Sequence, residues 1–424
     1  MPKSSILDFG IDGNAVVSYY AFIMKRVYES VLREHFAQNR QMVFVSGPRQ
    51  VGKTSLAESV LPGATLLNYD NQSHARIIAG GPERVAEFAD LANPVKSSRG
   101  IVFDELHKFP KWKGLLKGFF DVHGKGLKVV VTGSARLDIY KRGGDSLMGR
   151  YFPFRIHPLG IGEIDGGDMD AGGFLRKPGK PSRETLDLLL RFGGFPEPFL
   201  KGNARFRNQW NRTRLERLFH EDIRDLTRVQ DIIGIRSLAS LVTSRVCGGV
   251  NYAAMASDLA VAPDTAKAWL GILESVYFSY SITPWFRNVA NSIRKQHKAY
   301  LWDWSSLPEG GARNENFIAS HLMKAVHWWT DTGLGDFSLH YLRDKNGREV
   351  DFVVARDGEP YMLVECKSSM KEPLSSTLEE MRRRLSVKYA FQIGLDGECT
   401  EINPFDYEDR AIKVSALDFL KMLV

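Results

Sequence analysis

Gly47-Pro-Arg-Gln-Val-Gly-Lys53-Thr54 fits the phosphate-binding pattern G-x-x-x-x-G-K-[ST]. The apolar residues 42–46 precede the pattern and predict a buried strand. Residues 55–61 follow it and predict a helix that Pro62-Gly63 ends. In this order of strand, loop and helix, backbone N–H groups and a helix N-terminus face a phosphate. The context therefore argues against a chance glycine turn.

The loop predicts a site for a nucleoside triphosphate and Mg²⁺. Lys53 is expected to reach the β- and γ-phosphates, and the Thr54 hydroxyl is expected to bind Mg²⁺. The other residues expected to surround the phosphates are Gly47, Pro48, Arg49, Gln50, Val51, Gly52 and Ser55.

A second motif, Gly100-Ile-Val-Phe-Asp104-Glu105, places two carboxylates at the end of an apolar strand. Open α/β sheets bind their ligands outside the carboxyl ends of the strands. Asp104 is therefore expected to hold Mg²⁺, and Glu105 to activate the water that attacks the γ-phosphate. Without the phosphate loop, the pair would be an ordinary solvated strand end.

A third apolar strand, residues 127–134, ends in Thr132-Gly-Ser134. These hydroxyl groups are candidates for sensing the γ-phosphate or holding the attacking water; capping of the next helix is the alternative. Arg150 is a candidate arginine finger, acting in its own subunit or on a neighbour's nucleotide, and Arg136 is its rival. A plain surface charge is the alternative for both arginines.

The composition is that of a globular protein, with 43% hydrophobic and 25% charged residues. A chain of 424 residues predicts two or three domains. No apolar run of about 18 residues predicts a membrane span, and the N-terminus shows no signal-peptide pattern. Cys247, Cys366 and Cys399 are too far apart to suggest a disulfide framework or a zinc site. A cytoplasmic location is expected.

The net charge of +7 lies in one segment. Residues 201–300 hold 15 Lys and Arg against 8 Asp and Glu, whereas the rest of the chain is balanced at 42 against 42. A localised basic surface is typical of nucleic-acid binding, so DNA is the expected partner. The alternative is a solvated helix face, because the arginines of 205–217 alternate with acidic residues.

Residues 20–40 predict a helix, and the alternating elements over 42–160 predict a parallel sheet covered on both faces. Residues 166–182 are turn-rich and predict a linker, and 182–246 predict a helical lid. Residues 251–283 predict the element order of a winged helix, with a helical packing module as the alternative. The candidate DNA contacts are Lys267, Arg287, Arg294, Lys295 and Lys298.

Near the C-terminus, strands separated by tight turns such as Asn346-Gly347 carry a group of charged residues. Glu365 and Lys367 lie two residues apart and share a strand face, and a neighbouring strand is able to bring Asp351 beside them. Carboxylates with a lysine are suited to holding Mg²⁺ and activating water. Glu315, on a predicted helix, is a further candidate. An ordinary salt-bridged sheet face is the alternative, although buried charges require partners.

These motifs resemble the bacterial and archaeal AAA-type ATPases that carry a C-terminal domain of restriction-endonuclease-like fold. The resemblance spans nearly the whole chain, and its motifs are 47–54, 104–112, 132–134, 149–150, 158–163, 192–197, 315–316, 348–351 and 364–367. It implies ATP binding and a nuclease-like domain whose metal-binding core is Asp followed by Glu-x-Lys. Relatives with an arginine finger in trans work as rings, often hexamers, so self-association is implied.

The expected fold is α/β. It comprises a P-loop AAA-type ATPase core at 1–165, a linker and helical lid at 166–236, a winged helix at 237–283 and a restriction-endonuclease-like domain at 284–424. The expected function is ATP hydrolysis that drives work on DNA, branched or junction DNA included, with a metal-dependent nuclease domain. The alternative is a nucleotide-switched recruitment module without cleavage.

Overall fold

The computed structural model describes residues 26–133, 147–164, 173–176, 179–226, 231–286 and 296–424. A sheet of five parallel strands lies near the N-terminus, in the order β2-β3-β4-β1-β5. Its strands are β1 (Met42–Ser46), β2 (Thr65–Asn68), β3 (Ile101–Asp104), β4 (Val129–Gly133) and β5 (Tyr151–Arg155). The predicted parallel sheet is confirmed.

Apolar side chains alternate between the two faces of this sheet, and helices cover both. Val43 and Val45 join one hydrophobic cluster, whereas Met42 and Phe44 join another on the opposite face. The helices of this region are Tyr28–Gln38, Lys53–Val60, Gln72–Ala79, Pro82–Phe88, Pro94–Arg99 and Trp112–His123, with a 3₁₀ turn at Leu106–Lys108.

The middle of the chain is helical, as its sequence predicts. Its α-helices are Ile161–Ile164, Arg183–Phe192, Pro196–Lys201, Ala204–Arg217, Ile223–Leu226, Ile232–Ser244, Tyr252–Asp258 and Pro263–Ser275. A π-helical turn, Leu218–Asp222, interrupts this series. Most of the predicted linker lies outside the described residues. Within the described ranges, every helix is too short or too polar to cross a membrane.

A second sheet has seven strands in the order β12-β11-β10-β9-β8-β6-β7. Its strands are β6 (Ser279–Pro284), β7 (Lys298–Leu301), β8 (Phe337–Arg343), β9 (Glu349–Arg356), β10 (Glu359–Lys367), β11 (Tyr389–Gly394) and β12 (Ala411–Ser415). Helix Gly311–Asp331 packs on one face and helix Ser376–Leu385 on the other. Short elements complete this part: Trp304–Ser306, Pro404–Asp406 and Ala416–Leu420.

The structure does not divide the chain at the predicted boundary of 283/284, between the winged-helix segment and the restriction-endonuclease-like domain. Strand β6 ends at Pro284 and pairs with β7 and β8, so it belongs to the second sheet. The two sheets also share one hydrophobic cluster, which contains Val45 of β1 and Phe317 of helix Gly311–Asp331. The sequence does not reveal this, because strand pairing joins residues far apart along the chain.

Candidate functional site

The phosphate loop turns at the carboxyl end of β1. Gly47 has a φ of +152°, and a Cβ there would lie 2.2 Å from the carbonyl oxygen of Ile156. Gly52 has a φ of +94° and directly precedes helix Lys53–Val60. Only glycine adopts these conformations without strain or a clash. The loop and the helix N-terminus therefore face the same space, as phosphate binding requires.

Lys53 is buried at the base of the loop. Its Nζ donates hydrogen bonds to the carbonyl oxygens of Gly47, at 3.0 Å, and Pro48, at 2.7 Å. Burial lowers the pKa of this ammonium group, and the negative charges of Glu105 and Asp104 oppose that shift. Phosphate oxygens would form stronger, charge-assisted bonds with Lys53 than these neutral carbonyls do.

Asp104, at the end of β3, gathers polar side chains from three neighbouring elements. Thr54 Oγ1 lies 3.2 Å from each carboxylate oxygen, Asn68 Nδ2 donates at 2.9 Å, and the Thr132 hydroxyl also donates to Asp104. Thr54 and Asp104 are the predicted Mg²⁺ pair, and a hydroxyl beside a carboxylate suits an oxygen-ligated ion. Asn68 is not among the predicted residues, although it ends β2 at the same sheet edge.

Glu105 follows Asp104 in a left-handed conformation, with a φ of +53°. Its buried Oε2 accepts no hydrogen bond from any described residue. Lys108 Nζ lies 3.7 Å and His107 Nε2 lies 3.8 Å from this oxygen. A buried carboxylate oxygen without a donor suits the predicted role of Glu105 as an acceptor for the attacking water.

Arg49 connects the phosphate loop to the π-helical turn Leu218–Asp222. Its Nη1 lies 2.8 Å from Glu221 Oε2, and its Nη2 lies 2.6 Å from Asp222 Oδ1. Burial raises the pKa of Asp222 to about 6 although Arg49 opposes the shift. The pair is therefore mostly charged at neutral pH. Glu221 and Asp222 are not among the predicted site residues.

The structure places Arg150 at the wrong end of the sheet for an arginine finger in its own subunit. Its carbonyl oxygen accepts a hydrogen bond from the N–H of Met42, at 2.9 Å, at the amino end of β1. The phosphate loop begins after Ser46, roughly 15 Å away along the strand. Arg150 also pairs with Asp121, at 2.8 Å. Action in trans stays a prediction. Ser134 and Arg136 lie outside the described residues.

A buried ion network lies behind the phosphate loop. Arg26 donates from Nη1 to the Val51 carbonyl oxygen, and its Nε lies 2.5 Å from Glu163 Oε1. The other oxygen of Glu163 lies 2.5 Å from Lys324 Nζ, on helix Gly311–Asp331. The loop is thereby connected to the main helix of the second sheet.

The predicted C-terminal residues converge where β9 begins and β10 ends. The antiparallel register pairs Val364 with Phe352, which brings the next residues, Glu365 and Asp351, opposite each other. Asp351 Oδ2 accepts a hydrogen bond, at 2.8 Å, from the backbone N–H of the residue after Glu365. Lys367 Nζ lies 2.8 Å from Glu365 Oε1, and burial raises the pKa of Asp351 to about 7.

The prediction that Lys298 contacts DNA is wrong, because this side chain is not accessible to DNA. It is buried on β7, where its Nζ lies 2.5 Å from Glu349 Oε1 and 3.5 Å from Glu315 Oε1. Strand pairing turns this side chain toward the carboxylates rather than toward solvent. Glu315 also accepts a hydrogen bond, at 2.8 Å, from the Tyr300 hydroxyl. Of the other candidate DNA contacts, Lys267 is exposed. The remaining three lie outside the described ranges: Arg287, Arg294 and Lys295.

Within the described part of the chain, no three His, Cys, Asp or Glu side chains form a ready-made metal cluster. Mg²⁺ commonly takes only one or two carboxylates and keeps several waters. Asp351 and Glu365 supply two carboxylates, and the buried Glu365 Oε2 has no hydrogen-bond donor among the described residues. These two residues therefore fit a hydrated Mg²⁺ ion.

Part of the basic charge of 201–300 is held inside the fold. Arg214 is buried, with its guanidinium carbon 4.2 Å from the ring centre of Phe195. Arg236 pairs with Glu216, at 2.5 Å. Exposed arginines of the same region remain open to a partner: Arg205, Arg212 and Arg217.

Comparison with protein families divides the chain in three. Residues 39–165 match the family described as AAA domain. Residues 183–308 match a domain of unknown function (DUF8612), and residues 310–402 match another (DUF4143). The first match covers the parallel sheet, the phosphate loop and Asp104-Glu105. This part of the chain is therefore similar to AAA domains.

Two proteins that are similar in sequence carry names that assign no function. The chain is 25% identical over 350 residues to an uncharacterised protein of Mycobacterium tuberculosis, covering 76% of this chain and 69% of that protein. It is 23% identical over 197 residues to an uncharacterised protein of Methanocaldococcus jannaschii, covering 45% of this chain and 43% of that protein.

Two solved structures are similar at low TM-scores. The Orc1 protein of Aeropyrum pernix in complex with DNA gives a TM-score of 0.28 at 12% identity, covering 70% of this chain and 90% of that one. The replication initiator DnaA, bound to AMPPCP and single-stranded DNA, gives 0.30 at 14% identity, covering 65% of this chain and 92% of that one.

Proposed function

We propose that this protein hydrolyses ATP and uses the turnover to act on DNA. ATP hydrolysis is supported by one observation: Lys53, Thr54, Asp104 and Glu105 lie close together at the carboxyl edge of the parallel sheet. Thr54 and Asp104 would hold Mg²⁺, which supplies charge neutralisation at the phosphates when it is bound. The same arrangement is required for hydrolysis in P-loop enzymes.

Glu105 is assigned the proton acceptor in this reaction. The water oxygen bonds to the γ-phosphorus, the bond to the bridging oxygen breaks, and ADP leaves with the electron pair. The water proton passes to Glu105, whose Oε2 has no hydrogen-bond donor among the described residues. Lys53 stabilises the negative charge at the β- and γ-oxygens.

Two variants test this function. Lys53→Ala should lose nucleotide binding, because it removes the cation that meets the phosphates. Glu105→Gln should still bind ATP but lose turnover by about 10²–10⁴-fold, the range for a general base. Binding is measured by calorimetry and turnover by phosphate release. Normal turnover in Glu105→Gln would contradict the assignment of Glu105.

The DNA part of the proposal draws on the basic segment and on the C-terminal group of Asp351, Glu365 and Lys367. From Gly311 onward, a helix is followed by three antiparallel strands, a second helix and a parallel strand. This order supports a restriction-endonuclease-like assignment. Metal-dependent cleavage and assembly into a ring, often a hexamer in relatives, are parts of the same proposal.

A nucleotide-switched recruitment module without cleavage is the second candidate. Lys298 favours it, because its ammonium lies 3.5 Å from Glu315, a candidate metal ligand, and 2.5 Å from Glu349. Nicking of linear, forked and four-way DNA in Mg²⁺ or Mn²⁺ separates the two candidates. Stimulation of ATP turnover by one of these DNA shapes would support work on DNA in either case.

A further inference from the structure

One guanidinium group is shared between the phosphate loop and the helical lid. Arg49 is the third residue of the loop, and its two terminal nitrogens contact Glu221 and Asp222 at 2.8 and 2.6 Å. The Asp222 side chain is only 8% exposed, whereas that of Glu221 is 53% exposed. Asp222 is therefore the partner that water screens least.

Arg49 is also close to the residues expected to meet the γ-phosphate. Lys53 donates to the carbonyl oxygen of Pro48, the residue before Arg49. Burial lowers the pKa of Arg49, but the negative charges of Asp222, Glu221 and Glu105 together raise it above its usual value. The pKa of Lys53 is lowered mainly by burial, is raised by Glu105 and Asp104, and is lowered further by the charge of Arg49. Arg49 is thus within electrostatic reach of the groups assigned to the phosphate and to the attacking water.

The acidic partners lie on an unusual piece of backbone. Leu218–Asp222 is a π-helical turn inserted between helix Ala204–Arg217 and helix Ile223–Leu226. Such turns are rare and occur frequently at functional sites. Leu218 and Phe219 of this turn pack in the same hydrophobic cluster as helices Ile232–Ser244 and Pro263–Ser275. A shift of the turn would therefore reach the winged-helix-like segment.

We propose that Arg49 contacts the γ-phosphate of ATP, and that Glu221 and Asp222 hold it in a competing ion pair. This inference rests on the proposed ATP hydrolysis. The γ-phosphate and the lid carboxylates are anions that compete for one planar donor group. ATP withdraws Arg49 from the lid and frees the π-helical turn, whereas ADP, which lacks the γ-phosphate, leaves the ion pair in place.

The test compares ATP with ADP affinity by calorimetry in the full-length chain. Arg49→Ala should weaken ATP binding roughly tenfold or more, as expected for a charge-assisted bond, while ADP binding stays within about twofold. Glu221→Gln/Asp222→Asn should tighten ATP binding roughly threefold to tenfold and leave ADP binding unchanged, because the competitor for Arg49 is gone.

In the triple variant that adds Arg49→Ala, the tightening should disappear, because the lid carboxylates act only through that arginine. Glu216→Gln is the matched control: its partners are Arg236, at 2.5 Å, and His220, at 3.2 Å, both within the helical segment. The control should leave both affinities unchanged. Melting temperatures establish that each variant is folded, and Arg49→Lys, which keeps the charge without the planar fork, provides a second measurement if Arg49→Ala does not fold.

Equal losses of ATP and ADP binding in Arg49→Ala would overturn the inference, as would tightening that persists in the triple variant. If Arg49→Lys has to replace Arg49→Ala, an unchanged ATP-to-ADP preference in it would likewise overturn the inference. Failure of the underlying function looks different, because the wild type would then show no Lys53-dependent ATP binding at all.

Discussion

Lys324 Nζ lies 2.5 Å from Glu163 Oε2, so the end of the AAA domain and the main helix of the second sheet meet in a buried ion pair. Burial would raise the pKa of Glu163, but Arg26 and Lys324 bring it down to about 2. Burial lowers the pKa of Lys324 to about 8, although Glu163 opposes the shift. Both groups are therefore mostly charged at neutral pH, and the pair ties the two sheets together.

Lys324→Met should destabilise the protein by about 3–5 kcal/mol, because it leaves Glu163 buried with Arg26 as its remaining cation. The double variant Glu163→Gln/Lys324→Met should recover part of that loss, since the buried carboxylate is gone and Arg26 keeps its bonds to the carbonyl oxygens of Val51 and His157. Urea unfolding gives the free energies. Lys388→Met is the control, because Lys388 pairs with Glu408 on the surface and should matter little. A loss no larger than that of the control would contradict the prediction.

His321 should make stability depend on acid pH. Its Nε2 accepts a hydrogen bond from the N–H of Ile161, at 3.2 Å, and Nδ1 bonds the carbonyl oxygen of Phe317, at 2.8 Å. Burial lowers its pKa from 6.5 to about 3. The folded state therefore binds fewer protons than the unfolded state between these values. Its contribution is fully present above pH 6.5 and is lost as the pH falls toward 3.

At pH 5 the loss from His321 alone should be about 2 kcal/mol relative to neutral pH. Urea midpoints at pH 5, 6 and 7 measure it. His321→Gln should be less stable at neutral pH but show a shallower decline with acid. Other buried histidines, such as His35 and His157, are present in both proteins and cancel from the comparison. Identical slopes would show that His321 does not titrate as described.

Arg150 should act on a neighbour's nucleotide if it acts at all. The structure places it at the amino end of β1, away from the phosphate loop of its own subunit. Mixing Arg150→Ala with Lys53→Ala subunits should restore part of the ATP turnover that each lacks, and ATP should favour an oligomer in light scattering. Arg84→Ala, a surface arginine paired with Glu87, is the control. No restoration, together with a monomeric mass in ATP, would exclude an arginine finger at this position.

DNA affinity should depend on Arg287, Arg294 and Lys295 but not on Lys298. Replacing the first three with alanine should weaken binding to all sequences alike, because phosphate contacts carry no sequence information. The slope of log affinity against log salt should fall by about 0.9 per lost contact on duplex DNA. Lys298→Met should leave the slope unchanged, since this lysine is buried. An unchanged slope in the triple variant would move the surface to residues 201–236.

The nucleotide site was predictable because its residues follow strand ends that a local pattern reveals. Lys53 and Thr54 begin the helix that follows β1 and the phosphate loop, and Asp104 and Glu105 lie at the end of β3. Parallel strands bring their carboxyl ends together. The same rule argues against Arg150 as a finger in its own subunit. It directly precedes β5, so it lies at the amino end of a parallel strand, opposite to the phosphate loop.

Other parts depended on contacts between distant residues, which the sequence does not disclose. In the sequence, Lys298 is one of several cations in a basic segment. In the structure, the pairing of β7 with β6 turns its side chain toward Glu315 and Glu349. Asp222 reads as a charge alternating with arginines, yet the π-helical turn brings it to the phosphate loop. In both cases the partner comes from a different element.

Asp351 and Glu365 should bind a divalent ion, and Lys298 should oppose that binding. The experiment uses Mn²⁺ as the probe in an Asp104→Asn background, which removes the carboxylate of the nucleotide site. Calorimetry should show Mn²⁺ binding that Asp351→Asn abolishes. Lys298→Met should tighten binding about tenfold or more, because it removes a positive charge beside Glu315 and Asp351.

A variant of Lys367 should separate Mn²⁺ binding from DNA cleavage at this site. Its Nζ lies 2.8 Å from Glu365 Oε1, whereas Glu365 Oε2 is the oxygen without a hydrogen-bond donor among the described residues. If the domain cleaves DNA, Lys367→Ala should abolish nicking in Mn²⁺ while Mn²⁺ still binds, because the lysine serves the reacting water and the developing charge. Lys388→Met should change neither. Mn²⁺ affinity that is the same with and without Asp351 would contradict the site, and the cluster would then be a salt-bridged sheet face neutralised by Lys298 and Lys367.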